Sequence, residues 1–487
     1  MSNMIKGGNG GNAYEHSGTH AIEFFGKAGS LFVGKEGNGY GSTSALELFK
    51  EVWRTGDHTT AMKLLFWLRD PRGGAGNRSG FRAIATWLAE EAPEWMVANA
   101  HLVPKYGRWD DMKSLYNNDA TANVSATVWA NEIMVEEDVL ASKWADVSDK
   151  KLLKALRKWD KAQNGNKKDI GHYRRKLAGI RKGLVEVSMS KNEYSEIDYS
   201  HVPSVAMARY NTAFGRNDEA RYNEYKAKLE TAIETGDKSV KINTGAIFPH
   251  DVIRASRNST NKKAQDLQFA SLPNFMEESD ARIMVIADTS GSMGCVVGGD
   301  VRAVDVSQSL ALYCSDKLGE NNPFYRKYMQ FCNESTLTDW SDKKYISEVL
   351  NDRTMFNRAV GSTDITKALR TLVKYGKMFN ATAEQMPTHL LVISDMQFDS
   401  GTHNSDRTVV EEALDSWGDA GFEAPSVVYW NTNGNAGAPA RGTTANTALV
   451  SGFSPSILKA VFGNPDSMNP INIMNEAIKD YQVVVPK

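Results

Sequence analysis

An apolar run that ends on an aspartate constrains this chain more than any other feature. Ile283–Ala287 is uniformly apolar, and Asp288, Ser290 and Ser292 follow it directly. A short run of this kind is typical of a strand that is buried on both faces of a parallel sheet. In open α/β sheets, ligands bind outside the carboxyl ends of the strands. One carboxylate and two hydroxyls on that loop predict a site for a hard cation such as Mg²⁺.

Two later segments carry further oxygen atoms to the same predicted edge. Gly361–Asp364 directly precedes a predicted helix, and Asp395 follows the apolar strand Thr388–Ile393. Because parallel strands end at one edge of a sheet, we expect the three loops to converge. The predicted ligands of one Mg²⁺ or Mn²⁺ ion are Asp288, Ser290, Ser292, Thr363 and Asp395. Asp399 is an alternative to Asp395 or an additional ligand, and a water or a partner's carboxylate completes the coordination.

The chain changes its periodicity near residue 276. Before it, amphipathic helices follow one another with short polar connections; Leu46, Phe49 and Val52, for example, lie on one stripe. After it, strand-like runs such as Ser426–Trp430 alternate with helical runs. The predicted fold class is α + α/β: an N-terminal α-helical repeat, a HEAT-like solenoid or ring, followed by a Rossmann-like, doubly wound domain.

Composition shifts predict the division of the chain. Residues 1–40 contain many glycines and few aliphatic side chains, which indicates a flexible arm. Residues 235–275 are polar and predict the junction between the two large parts. We therefore predict an N-terminal arm (1–40), a helical half (41–275) and a sheet half (276–487). These three names are used below.

Local basic segments point to a phosphate-bearing partner. The turn at 69–80 carries three arginines and four glycines, and residues 150–182 contain thirteen Lys and Arg against two Asp. Arginine forks pair with phosphate oxygens, and clustered cations are the footprint of nucleic-acid binding. A solvated helix face is the competing interpretation of the second segment. The predicted RNA-binding residues are Arg72, Arg78, Arg82, Lys105, Arg108, Lys154, Arg157, Lys158, Lys168, Arg174, Arg175 and Arg181.

Overall composition excludes other classes. The 487 residues carry a net charge of −2, so any nucleic-acid surface is local rather than global. The three cysteines have no metal-ligand spacing, and no window is long and apolar enough to span a membrane. We expect a cytoplasmic protein. We also expect no enzyme, because Ser290 and Ser292 have no placed base and His250, His389 and His403 are scattered.

The three motifs together resemble a known binding site. DTSGSM at residues 288–293, GSTD at 361–364 and the strand-terminal Asp395 are similar, in order and placement, to the metal-ion-dependent adhesion site (MIDAS) of von Willebrand factor A domains. The resemblance covers roughly residues 276–487. It implies an A-domain fold for the sheet half and Mg²⁺ at the five predicted ligands.

A helical-repeat region in front of such a domain resembles the Ro (TROVE) RNA-binding family. The phrases RDPRGGAGNRSGFR, PKYGRWDD and SGFSPSILKAVFG are more similar still to a bacterial, phage and eukaryotic group of unknown function. The Ro resemblance implies a non-enzymatic RNA-binding protein whose A domain closes a ring of helices. The alternative is a cation-dependent protein-interaction or assembly module, such as a viral particle component, which binds an acidic protein ligand without RNA. The sequence leaves the oligomeric state open.

Overall fold

The structure is a computed structural model of the chain. It describes residues 4–6, 9–31, 44–237, 239–259, 262–277, 279–298, 301–352, 361–399, 408–434, 437–463 and 468–487. His403 lies outside these residues. Within them, a helix-rich part precedes a mixed α/β part, which confirms the predicted combination of α and α/β. No helix of the described residues has both the length and the apolar character needed to cross a bilayer.

The helical half is a succession of short helices that pack on their neighbours in the chain. Most begin at a polar N-cap; the Asp57 side chain, for example, accepts from the Thr60 N–H. The bounds are α2 (Ala45–Arg54), α3 (His58–Arg69), α4 (Arg78–Glu91), α5 (Pro93–Asn99), α6 (Leu102–Tyr106), α7 (Asp119–Asn131), α8 (Val139–Trp144), α9 (Lys150–Asn164), α10 (Ile170–Ile180), α11 (Val185–Ser190), α12 (Ser204–Asn217), α13 (Glu219–Thr235), α14 (Pro249–Asn258) and α15 (Lys263–Ala270). α2, α3 and α5 all contact α4, in keeping with stacked helix pairs. The HEAT-like solenoid or ring stays a prediction.

A glycine marks a break between two helices that the hydrophobic periodicity of the sequence does not reveal. A single helix over residues 172–188 is the simplest interpretation of the sequence, whereas the structure has α10 and α11 there. Gly183 lies between them with a φ of +107°, a backbone conformation that residues with a Cβ rarely adopt. The break turns the chain after the most basic segment.

The described residues of the sheet half form a six-stranded open sheet, with helices between its strands, and a separate two-stranded sheet. Strands β1 (Met4–Lys6) and β2 (Asn12–Tyr14) form an antiparallel pair in the N-terminal arm. The strands of the open sheet are β3 (Ile283–Asp288), β6 (Lys327–Phe331), β7 (Ser335–Asp339), β8 (His389–Ser394), β9 (Ser426–Asn431) and β10 (Thr447–Ser451). The helices are α16 (Ala303–Asp316), α17 (Ile346–Asn351), α18 (Ile365–Met378), α19 (Val409–Asp419), α20 (Leu458–Phe462) and α21 (Pro470–Ile478), and β4 (Val296–Gly298) pairs with β5 (Val301–Arg302).

The order of strands in the sheet creates a switch point at β3. The described strands are ordered β10-β9-β8-β3-β6-β7, and all neighbours are parallel except β6 and β7. The chain winds from β3 to one side through β6 and later to the other side through β8. The carboxyl ends of β3 and β8 therefore lie side by side at the place where such sheets bind ligands.

Part of the N-terminal arm differs from the predicted flexible segment. Helix α1 (His20–Lys27) buries Phe24 and Phe25 completely and packs on β9 and β10. The Ser30 hydroxyl donates to the Asn431 carbonyl over 2.6 Å. Burial of two aromatic side chains outweighs the sparse aliphatic content of the segment. Residues 32–40 of the predicted arm lie outside the described residues.

Segments near both ends of the sequence contact the helical half as well as the sheet half. α1 packs on α2 as well as on β10, and the Tyr481 hydroxyl donates to Asp70 over 3.0 Å in the helical half. The Asn99 side chain donates from Nδ2 to the Val484 carbonyl over 2.8 Å, and its Oδ1 accepts from the Val484 N–H over 2.7 Å. One continuous hydrophobic core runs through both halves, and a smaller separate cluster lies around α12 and α13.

Candidate cation site

The predicted ligands begin at the end of β3. Asp288 is fully buried, and β3 pairs with β8 so that Ala287 lies opposite Ile393. The next residues, Asp288 and Ser394, are therefore neighbours, and the Ser394 hydroxyl donates to one oxygen of Asp288. The other oxygen accepts from the Ser290 N–H over 2.8 Å. This bond curls the loop back toward the carboxylate.

The loop after Asp288 brings two hydroxyls together. A 3₁₀ turn over Gly291–Gly294 follows Ser290, and the hydroxyl oxygens of Ser290 and Ser292 lie 3.2 Å apart. Ser290 is fully buried, whereas Ser292 is partly exposed. The turn therefore offers two neutral oxygen ligands beside Asp288, with the Ser290 hydroxyl in the interior and the Ser292 hydroxyl nearer to solvent.

Asp395 completes a buried carboxylate pair with Asp288. Its Oδ1 accepts from the Gln397 N–H over 3.2 Å. Its Oδ2 is buried and has no hydrogen-bond partner among the described residues. Burial raises the pKa of Asp395, and the hydrogen bond from the Gln397 N–H opposes that rise. Burial, and then repulsion from Asp395, raise the pKa of Asp288 to about 7.

The Gly361–Asp364 loop reaches the same edge. The Gly291 N–H donates to the Gly361 carbonyl over 2.9 Å, which joins the two loops. Gly361 has a φ of +83°, a conformation that favours glycine, and a Cβ there would also displace the Asn333 side chain, which lies 2.7 Å from its position. Thr363, in the same loop, is buried. The three predicted motifs thus lie at one edge of the sheet.

Asp399, the alternative to Asp395 as a predicted cation ligand, has a different structural role. Its Oδ2 accepts from the Thr363 N–H over 2.9 Å, and its own N–H donates to the Thr363 carbonyl over 3.0 Å. It therefore holds Thr363 in place. The structure supports Asp395 as the carboxylate beside Asp288 and Asp399 as a positioning residue behind Thr363.

The donor set fits one hard divalent cation. Two buried carboxylates, one with an unpartnered oxygen, and three hydroxyls are the ligand types that Mg²⁺ and Mn²⁺ prefer. No group of three or more His, Cys, Asp or Glu side chains in metal-binding arrangement occurs within the described part of the chain. A cation here would depend on hydroxyl ligands as much as on carboxylates.

Two residues at the site were not among the ligands predicted from the three motifs. Ser394 precedes Asp395 and reaches Asp288, a role that strand register alone decides. Asn9 donates from its Nδ2 to the Thr363 hydroxyl oxygen over 3.1 Å. The only sequence signal for Asn9 is its position among glycines in GGNGG, which permit a close backbone approach.

The predicted RNA-binding residues divide into two groups. Arg82 and Arg108 bind Asp110, and Arg181 donates to the carbonyls of Ser142 and Ala145. The guanidinium groups of these three residues therefore have partners within the fold, and their binding to RNA stays a prediction. The others form no ion pair within the residues that the structure describes: Arg72, Arg78, Lys105, Lys154, Arg157, Lys158, Lys168, Arg174 and Arg175.

An arginine cluster at the start of α4 carries excess positive charge. It consists of Arg69, Arg78, Arg82 and Arg108 around Asp110 and Asp111. Burial lowers the pKa of Arg78, and repulsion from Arg108, Arg82 and Arg69 lowers it further. Within the part of the chain that the structure describes, four cations surround two carboxylates and Arg78 has no ion-pair partner of its own. The cluster is suited to an anion.

Two family descriptions match adjacent parts of the chain. The Domain of unknown function (DUF2828) matches residues 145–278, and the Domain of unknown function (DUF7788) matches residues 282–482. The "Uncharacterized protein L728" of Acanthamoeba polyphaga mimivirus is 24% identical over 529 residues, which cover 99% of this chain and 88% of that protein. The crystal structure of the Deinococcus radiodurans Ro (RSR) protein covers 95% of this chain and 99% of its own, with 14% identity and a TM-score of 0.40. The chain is thus similar along almost its whole length to a viral protein, and its predicted cation site lies within the part that matches DUF7788.

Proposed function

We propose that this protein is a non-enzymatic binding protein whose sheet half holds Mg²⁺ or Mn²⁺ at Asp288, Ser290, Ser292, Thr363 and Asp395. The buried Oδ2 of Asp395, which lacks a partner among the described residues beside a second buried carboxylate, carries the proposal. Two such charges repel each other in a low-dielectric interior unless a proton or a cation neutralises them. The hydroxyls supply neutral ligands that add no further repulsion.

The proposed role of the site is to bind an acidic side chain of a protein ligand. Asp288 and Asp395 together carry two negative charges, which one divalent ion neutralises. The partly exposed Ser292 lies on the solvent side, where an incoming carboxylate has access. An A-domain fold for the sheet half, which the motifs imply, belongs to the same proposal.

The charge pair predicts a pH-dependent effect of the cation on stability. Because the folded pKa of Asp288 is raised to about 7, the folded state binds a proton that the unfolded state has lost, so cation-free stability falls as the pH rises from the ordinary carboxyl range through about 7. We expect saturating Mg²⁺ to raise the melting temperature by about 2–4 °C at pH 8 and by much less at pH 5. Scanning calorimetry with Mg²⁺ or EDTA tests this. An equal shift at both pH values, or none at pH 8, would count against the site.

A second candidate function is RNA binding by the helical half. The arginine cluster has more cations than carboxylates, and Lys154 and Lys158 lie four residues apart on the exposed face of α9. Like charges at this spacing repel each other and destabilise a helix. An anion bound between the two lysines would remove that repulsion. α10 adds the exposed Arg174 and Arg175, and Tyr173 in α10 bonds Asp160 in α9. This hydrogen bond holds the two basic helices together.

RNA binding predicts a specific dependence on salt. Each phosphate contact on a single strand contributes about 0.7 to the slope of log K against log salt. Replacing Lys158, Arg174 and Arg175 by alanine should therefore lower the slope by about 2 in filter binding of a single-stranded RNA oligonucleotide. The matched control replaces Lys50, Lys228 and Lys479, which are paired with Glu47, Glu224 and Glu476. Equal effects of the two triple variants, or binding that is flat against salt, would exclude this surface.

A further inference from the structure

The N-terminal arm lies across the rim of the candidate cation site. The Gly11 N–H donates to the Phe398 carbonyl over 3.0 Å, and Gly10 forms an antiparallel bridge with Asp399. A Cβ on Gly11 would lie 2.4 Å from the Phe398 carbonyl oxygen, so the two backbones can approach this closely only at glycine. The contact fixes the arm against the loop that follows Asp395.

The arm delivers the Asn9 side chain to a predicted ligand. Asn9 Nδ2 donates to Thr363 Oγ1 over 3.1 Å and to the Gln397 carbonyl over 2.7 Å. Thr363 is buried, whereas Asn9 is exposed, so the Asn9 amide lies on the solvent side of the Thr363 hydroxyl. A hydroxyl oxygen has two lone pairs, and Asn9 uses one of them. The second lone pair stays available to a cation.

The distances between these hydrogen-bonded atoms are also compatible with those between neighbouring ligands of one ion. Six ligands at about 2.1 Å from one Mg²⁺ ion lie about 3 Å from their neighbours in an octahedron. The Asn9 amide nitrogen is 3.1 Å from Thr363 Oγ1, and the Ser290 and Ser292 hydroxyls are 3.2 Å apart. The two ends of an asparagine amide have the same shape, so a half-turn of the group exchanges nitrogen for oxygen. Amide oxygens are ligands of hard cations.

We propose that Asn9 is the chain's own ligand on the solvent side of the cation site. Its amide donates to Thr363 and Gln397 when the cation is absent. When the cation is bound, the side chain gives up its hydrogen bond to the Gln397 carbonyl and turns to present Oδ1 to the ion, which lies between the two oxygens and screens their repulsion. Residues 9–11 then occupy the face that the acidic side chain of a protein ligand needs, so such a ligand binds only by displacing the arm. This inference rests on the proposed cation site.

Titration of the full chain with Mn²⁺ tests the assignment, because water-proton relaxation counts the exchangeable waters on the bound ion. Asn9→Ala should bind Mn²⁺ with about one more exchangeable water than the wild type, since a water replaces the amide oxygen. Asn9→Asp should bind Mn²⁺ about tenfold more tightly at the wild-type water count, because it adds a charged ligand. Lys6→Ala is the control in the same arm, since Lys6 bonds Asn12 rather than the site.

The outcomes separate the two proposals. If the wild type binds Mn²⁺ but neither Asn9 variant changes water count or affinity, Asn9 is not a ligand and the cation site stands. If the wild type binds no Mn²⁺, the cation site and the role of Asn9 fall together. An Asn9→Asp variant that binds more weakly than the wild type would also overturn the assignment. Circular dichroism of each variant checks that the fold is intact.

Discussion

Asp395→Asn is expected to abolish Mn²⁺ binding while making the cation-free protein more stable. The substitution removes one of two buried like charges and keeps an oxygen that accepts from the Gln397 N–H. Loss of a charged ligand should weaken Mn²⁺ binding by more than about 100-fold, beyond the range typical of residues that only support a ligand. Relief of the repulsion that helps to raise the pKa of Asp288 should stabilise the cation-free fold by about 1–2 kcal/mol.

Opposite signs of the two effects make this test specific. A residue that only maintains the fold would lower stability and cation affinity together when it is replaced. Calorimetric Mn²⁺ titration and thermal unfolding in EDTA, both at about pH 8, measure the two quantities under one condition. A destabilised variant with unchanged Mn²⁺ affinity would exclude Asp395 as a ligand.

Asp399→Asn is the matched comparison. Its carboxylate accepts from the Thr363 N–H, but Asp399 is not one of the two buried carboxylates, and the unpartnered oxygen among the described residues belongs to Asp395. We therefore expect Mn²⁺ affinity to fall by about tenfold, as for a residue that positions a ligand. A loss as large as that of Asp395→Asn would make Asp399 the ligand, the alternative that the sequence had left open.

Asp111→Ala is expected to cost the helical half about 3–5 kcal/mol of stability. Asp111 is fully buried and accepts from Arg69 Nε over 2.7 Å, from Arg82 Nε over 2.6 Å and from the Arg108 N–H over 2.9 Å. Burial lowers the pKa of Arg69, and Asp111 is the group that opposes it. Without Asp111, a buried guanidinium loses its counter-charge, and this uncompensated charge is the source of the cost.

Urea unfolding followed by far-UV circular dichroism measures this loss. Glu47→Ala, which breaks the exposed pair with Lys50, should change stability by no more than about 0.5 kcal/mol. Adding Arg69→Met to Asp111→Ala should restore part of the loss, because the second change removes the stranded charge. A cost for Asp111→Ala no larger than that of the control would contradict the buried ion pair.

Local patterns in the sequence were sufficient to predict the centre of the candidate site. Asp288 lies at the end of one apolar strand and Asp395 directly follows another. Because these two strands pair in parallel, their carboxyl ends lie side by side regardless of the conformation of the connecting loops. The third motif reached the same edge because glycines at 291 and 361 permit close contact of the loops. The predicted change from helices to alternating strands and helices is confirmed for the same reason, since hydrophobic period is a local property.

What the sequence did not reveal depends on contacts between distant residues. Asn9 reaches Thr363 only because the arm lies across the sheet half, and no local pattern encodes that path. The ion pair between Arg108 and Asp110 could have been anticipated, because the two residues are two positions apart in the sequence. The pairing of Arg82 could not, because the acidic residues that bind it belong to a different segment from the one whose charges were counted. The same limit hid the burial of Phe24 against Phe49 and of Phe25 against Trp67, and the packing of α1 on β9 and β10.

The contacts of helix α1 couple parts of the chain that are synthesised at different times. The ribosome releases α1 and its neighbour α2 long before it has synthesised β9 and β10, on which α1 also packs. Tyr481 and Val484 likewise reach Asp70 and Asn99 only after the strands of the sheet half have been made. Complete packing of the helical half therefore waits for the sheet half, and apolar surface of the nascent chain stays uncovered during that interval.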